Sequence, residues 1–186
     1  MNSVWIIDDD RSIRWVLEKA LGREEIAAKS FGSADEALAA LDAGQRPQVL
    51  VSDIRMPGTS GLELLRHVKE TFPELPVIIM TAYSDLDSAV AAFQGGAFEY
   101  LPKPFDVDQA VELVRRALTQ AAHQNGAAVE TSAVPEILGQ GAALQEVFRA
   151  IGRLSQSHAT VLINGESGTG KELVARALHR HSPRKD

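Results

Sequence analysis

Up to about residue 121, short apolar runs alternate with stretches whose apolar residues repeat at helical spacing, and few architectures accept that order. The strand candidates are Val4–Ile7, Ile26–Phe31, Val49–Ser52, Val77–Met80 and Phe98–Leu101. Most are apolar at successive positions rather than alternate ones, as in parallel strands covered on both faces. Between them Ile13, Val16, Leu17, Ala20 and Leu21 fall on one helical stripe, as do Val107, Ala110, Val111, Val114 and Leu118 at the end. Ser33 with Glu36, and Ser60 with Glu63, have the spacing of a capping box at a helix start. Five such units predict an α/β fold, a flavodoxin-like doubly wound parallel sheet of five strands in the order 2-1-3-4-5.

Composition narrows the class further. With 45% hydrophobic and 24% charged residues the chain is neither disordered nor fibrous. Asp8 interrupts the first apolar run before a signal-peptide core can form, and no run nears the roughly 20 residues of a membrane span. The absence of cysteine excludes a disulfide scaffold, a zinc–thiolate site and a cysteine nucleophile, and the expectation is a cytoplasmic chain without membrane contact. Residues 1–121 carry 12 Lys+Arg against 19 Asp+Glu and residues 122–186 carry 7 against 6, so net charges of −7 and +1 make up the total of −6. An acidic front part repels nucleic acid, and any DNA contact is expected from another region.

From Thr119 to Pro135 the apolar period is lost among Ala, Gln, Asn, Gly, Thr and Ser. This predicts a domain over 1–121, a linker over 122–135 and a second unit over 136–186. The second unit has a helical stretch at Ala143–Leu154, a strand-like run at Thr160–Asn164 and a further helix at Lys171–Arg180.

In an open parallel sheet ligands bind beyond the carboxyl ends of the strands. Asp8, Asp9 and Asp10 follow the first predicted strand, Asp53 the third, Thr81 the fourth and Lys103 the fifth, so these residues should converge. Carboxylates about 4 Å apart repel by roughly 4 kcal/mol at an effective dielectric near 20, so several together need a cation or protonation. Oxygen-only ligation suits Mg²⁺. The chemistry implied is phosphoryl transfer, with Asp53 as nucleophile, Asp8 and Asp9 holding the metal, and Thr81 and Lys103 on the phosphoryl oxygens. Asp10 reads equally as a helix cap, and Tyr100 as a half-buried strand aromatic.

The strings Asp8-Asp9-Asp10, Ser52-Asp53-Ile54-Arg55-Met56-Pro57-Gly58, Thr81-Ala82 and Lys103-Pro104-Phe105 resemble the receiver domain of bacterial two-component response regulators. Ile13 to Leu17, Pro76 to Ala82 and Gly96 to Phe105 point within that family to its nitrogen-regulation branch. The resemblance implies that Asp53 accepts a phosphoryl group from a sensor histidine kinase. It also implies that Asp9, Asp53 and the Arg55 carbonyl ligate Mg²⁺ directly, with Asp8 acting through water. Thr81 and Tyr100 would form a switch that reshapes the surface of the fourth and fifth units, with a homodimer expected and a cis peptide at Lys103-Pro104.

Gly165-Glu166-Ser167-Gly168-Thr169-Gly170-Lys171 follows an apolar run and opens a helix, the setting of a phosphate-binding P-loop for ATP. Glu172 stands where the generic motif has a Ser or Thr on Mg²⁺. That departure, with Leu173-Val174-Ala175, resembles the AAA+ ATPase domain of enhancer-binding activators that work with sigma-N RNA polymerase. By that resemblance the polymerase-contacting loop, arginine finger and enhancer-DNA-binding region belong to sequence beyond residue 186. The receiver would catalyse its own phosphorylation and dephosphorylation, and no ATP turnover is expected of these 186 residues. One alternative starts from Ile6 to Asp10, which also resembles the first motif of haloacid-dehalogenase phosphatases, with Asp8 as nucleophile; it leaves Asp53 without a role.

Overall fold

The computed structural model describes residues 3–82, 86–124, 147, 150, 154, 160–166, 169, 171–180 and 182. In chain order the elements are β1 (Ser3–Ile7), α1 (Arg11–Arg23), β2 (Ala27–Phe31), α2 (Ala34–Asp42), β3 (Val49–Asp53), α3 (Gly61–Thr71), β4 (Val77–Ala82), α4 (Leu86–Gln94), β5 (Glu99–Lys103), α5 (Val107–Gln124) and α6 (Lys171–Arg180). The five strands form one parallel sheet in the order β2-β1-β3-β4-β5, as the sequence predicts.

Side chains that alternate across a strand explain why the runs are continuously apolar. Val4 and Ile6 of β1, Val49 and Val51 of β3, and Ile78 and Met80 of β4 pack with Leu17 and Leu21 of α1 and Leu113 and Val114 of α5. Trp5, Ile7, Leu50, Val77 and Ile79 face the other way, onto Leu41 of α2 and Leu64, Leu65 and Val68 of α3. Each fully buried aliphatic side chain contributes about 1.5 to 3 kcal/mol, so both faces anchor the central strands. A small third cluster joins Val90 of α4 to Val147 and to Val174, Ala177 and Leu178 of α6.

Several strands end later than their apolar runs. Asp53 pairs with Met80, Thr81 with Pro102 and Ala82 with Lys103, so the ladder continues through the polar residues expected just outside it. Backbone pairing does not depend on side-chain polarity, and Pro102 is tolerated because β5 is an edge strand. At β2 the correction runs the other way. The Ile26 N–H closes the end of α1 on the Leu21 carbonyl, and the strand starts at Ala27.

Ser60 and Glu63 form the full capping box of α3. At α2 only half of the expected box exists: Ser33 Oγ accepts the Glu36 N–H, while the Glu36 carboxylate accepts the N–H of Gly32, one residue further out. Helix α5 continues through Gln124, since Thr119 to Gln124 contain helix-compatible Ala and Gln whatever their lack of apolar period. Helix α6 lies where predicted. The strand expected at Thr160–Asn164 is not a ladder member among the described residues; Leu162 there is 82% exposed, and an extended run without a neighbouring strand has no partner for its backbone groups. Val147, Ala150 and Leu154 are helical; residues 122–124 of the expected linker belong to α5, and residues 125–135 of it, with the remainder of the Ala143–Leu154 stretch, lie outside the described residues.

Candidate functional site

The carboxyl ends of β1, β3 and β5 bring Asp8, Asp53 and Lys103 together. Strand β1 lies beside β3, and Asp53 closes β3 one position beyond the paired Ile7 and Ser52. Ligand oxygens of Asp8, Asp9 and Asp53 all lie within 4.8 Å of one another. Asp8 is fully buried, Asp53 is 8% exposed and Asp9 is open to solvent. The Lys103 ammonium lies 2.7 Å from Asp8 Oδ2 and 3.0 Å from Asp53 Oδ2. The Lys103-Pro104 peptide is cis.

Backbone donors fix the carboxylates. Asp53 Oδ1 accepts the Ile54 N–H at 2.9 Å, and Asp8 Oδ1 accepts the Asp10 N–H at 2.8 Å. Asp10 itself caps α1, its Oδ1 accepting the Ser12 N–H at 2.7 Å, and it stands apart from the three-carboxylate group. Burial pushes the Asp8 carboxyl above its ordinary range, against the pull of its bonds from Lys103 and Asp10. Burial would lower Lys103, but its bonds to Asp8 and Asp53 and their charges outweigh that and raise it, so the lysine stays a cation.

Thr81 is buried near the end of β4, next to β3 and paired in register with Pro102. Tyr100 is buried rather than half-buried, its ring edge-on to Phe93 of α4 at 5.8 Å. Arg55 follows in the exposed loop that leads to α3. That loop returns so close to β3 that a Cβ at Gly61 would stand 1.9 Å from the Asp53 carbonyl oxygen, which only glycine permits. Two further contacts were not legible from residue type. Arg14 Nη1 donates to the carbonyls of Asp8 and Asp9, and Thr59 Oγ1 donates to Asp35 Oδ1 of α2 at 2.6 Å. The only hint of the first is a cation one turn beyond the helix cap.

The glycine-rich segment is described at Gly165, Glu166, Thr169, Lys171 and Glu172; Ser167, Gly168 and Gly170 lie outside the described residues. Lys171 Nζ donates to the Gly165 carbonyl at 2.7 Å and to that of Glu166, so the lysine folds over its own loop. Glu172 pairs with Arg176 one turn on, at 2.6 Å.

Comparison with known proteins places this arrangement. The response regulator receiver domain family matches residues 4–130. The chain belongs to the response regulator family. The sigma-54 interaction domain matches residues 137–186 of this response regulator. DNA-binding transcriptional regulator NtrC of Klebsiella pneumoniae is 60% identical over 97% of the chain, and that of Proteus hauseri 58% identical over 98%. In each case the chain spans 39% of the relative's length. Among solved structures, the apo receiver domain of nitrogen regulatory protein C is 58% identical with a TM-score of 0.58, covering 63% of this chain and 94% of that one. NtrX from Brucella abortus in complex with ADP is 31% identical with a TM-score of 0.63, covering all of this chain and 41% of that one. These matches give the haloacid-dehalogenase reading no support, and Asp8 is tied to Lys103 and Asp10.

Proposed function

We propose that this response regulator accepts a phosphoryl group on Asp53 from a sensor histidine kinase, and that the modified receiver controls an ATPase that activates sigma-N-dependent transcription of nitrogen-assimilation genes. The observation that carries the reading is the Lys103 ammonium shared between Asp8 and Asp53, beside a third carboxylate, at the carboxyl edge of the sheet. The oxygen-only donors within 4.8 Å fit Mg²⁺ better than a softer metal. Asp8, Asp9, Asp53 and the Arg55 carbonyl would hold it, and when bound it would neutralise charge on the transferring group.

The chain's own residues supply the rest. The Ile54 N–H and Lys103 fix the Asp53 carboxylate, one oxygen of which attacks phosphorus as the bond to the donor nitrogen breaks and its electron pair leaves with the imidazole. Lys103 then bonds a phosphoryl oxygen while keeping Asp8, and the Thr81 hydroxyl takes another. The new charge of about −1.5 to −2 biases Thr81 and Tyr100. The contact of Tyr100 with Phe93 supports α4 as the element that answers, and the Val90–Ala177 cluster links α4 to α6.

In the second unit Gly165, Glu166, Ser167, Gly168, Thr169, Gly170, Lys171 and Glu172 are proposed to bind ATP, with Lys171 exchanging its loop carbonyls for phosphate oxygens. We assign 1–121 to the receiver, 122–135 to a linker that begins within the last turn of α5, and 136–186 to part of the AAA+ domain, in a cytoplasmic protein that dimerises through its receiver. Among the described residues no helix is long and apolar enough to cross a membrane. Acetyl phosphate with Mg²⁺ tests the receiver: intact mass should show one added phosphoryl group, lost in excess chelator. Undiminished incorporation without divalent metal contradicts the reading.

A further inference from the structure

Building on the Mg²⁺ reading of the acidic pocket, we propose that Arg14 is a positioning residue for that metal, holding the loop on which Asp8 and Asp9 are mounted. One nitrogen of its guanidinium, Nη1, donates to two successive backbone carbonyls, Asp8 O at 2.5 Å and Asp9 O at 3.1 Å. In a strand successive carbonyls point in opposite directions. Here they converge on one donor, so the chain is turned at the step where both carboxylates must face Asp53.

The two aspartates depend on that turn to different degrees. The Asp8 carboxylate is fixed from its own side, Oδ1 by the Asp10 N–H and Oδ2 by Lys103. The Asp9 carboxylate is exposed and makes no hydrogen bond or ion pair among the described residues. Only its backbone sets where it points, and Arg14 grips that backbone. Gly32, just beyond β2, lies beside the guanidinium, since a Cβ there would stand 3.8 Å from Arg14 Nη1 and 3.9 Å from either Glu36 oxygen, and the Glu36 carboxylate accepts the Gly32 N–H. Groups behind a metal's direct ligands commonly set its affinity in this way.

The proposal carries a sign that a purely electrostatic role cannot reproduce. A cation near a Mg²⁺ site repels the metal, so removing Arg14 as a charge alone would tighten binding. Removing it as the holder of the loop loosens binding. Calorimetric titration of Mg²⁺ into the metal-free 186-residue chain, without phosphodonor, separates the two. Arg14→Met should raise the dissociation constant about tenfold and Arg14→Lys by less, because a lysine keeps the charge but reaches less far. Arg11→Met, which removes an exposed cation from the same turn of α1, should leave it unchanged or lower it. Melting temperatures in chelator report folding separately.

A folded Arg14→Met protein that binds Mg²⁺ as tightly as the parent, or more tightly, overturns the proposal alone. If Arg14→Met does not fold, Arg14→Lys decides, and an unchanged constant there overturns it equally. Failure of the parent chain to bind Mg²⁺ overturns both the metal reading and the role of Arg14.

Discussion

β1 with its acidic loop and α1 forms a strand–loop–helix unit, and the sequence of residues 160–180 has the same succession of an apolar run, a polar loop and an amphipathic helical stretch. They differ in what stands behind the loop. Strand β1 is hydrogen-bonded to β2 on one side and β3 on the other, and its apolar side chains are buried on both faces. Residues 160–166 have no ladder partner among the described residues, and Leu162 faces solvent. The cations follow suit. Lys103 reaches across the sheet edge to carboxylates at the ends of two other strands, whereas Lys171 satisfies its donors on its own loop. A site is therefore as well formed as the sheet that fixes its loops, and a motif alone does not confer that.

The largest expected difference lies in the apolar runs themselves. Leu50→Ala removes a fully buried side chain and should cost about 2 to 5 kcal/mol in denaturant unfolding, while Leu162→Ala should fall within about 0.5 kcal/mol of the parent. Equal losses would mean that residues 160–166 are packed as firmly as β3. Gly61→Ala comes next. The added Cβ would stand 1.9 Å from the Asp53 carbonyl oxygen and 2.8 Å from its carbon, so backbone must move, at about 1 to 3 kcal/mol and with slower phosphoryl incorporation. An unperturbed Gly61→Ala protein would show that the loop after Asp53 is not held close.

The smallest effect concerns the charge stored at β1. Asp8 is buried and its pKa lies above 3.8, so in metal-free protein it favours folding below the unfolded value, and that contribution is lost as pH rises through the folded value. The stability of the parent relative to Asp8→Asn should therefore fall as pH is raised from below 3.8 toward neutrality, each tenfold change in proton affinity being worth about 1.4 kcal/mol. Saturating Mg²⁺ should reverse the trend, since the metal competes with the proton. A difference that rises with pH in chelator contradicts the burial argument.

The same contrast explains what could be read in advance. Apolar runs of Val, Ile and Leu located the three central strands, whose two faces are both covered, while the edge strands β2 and β5 lie within the more mixed runs Ile26–Phe31 and Phe98–Leu101, and the order 2-1-3-4-5 then brought Asp8, Asp53 and Lys103 to one edge. The strand ends were legible only to within a residue or two, since Asp53, Thr81 and Lys103 pair by backbone while their polar side chains signal a loop. Arg14 and the Thr59–Asp35 bond escaped notice because a side chain seeking a carbonyl or a distant carboxylate leaves no periodic trace. At Thr160–Asn164 local pattern was misleading for the opposite reason: a strand exists only with a neighbour, which its own residues do not encode.

Reduction of the phosphorylated chain with borohydride tests the central claim most directly, because it converts an aspartyl phosphate to homoserine at the residue that carried the phosphoryl group. After treatment with acetyl phosphate and Mg²⁺, peptide sequencing should find homoserine at position 53, and none in an Asp53→Asn protein. Homoserine at position 8 or 9, or incorporation that persists in Asp53→Asn, would contradict the account.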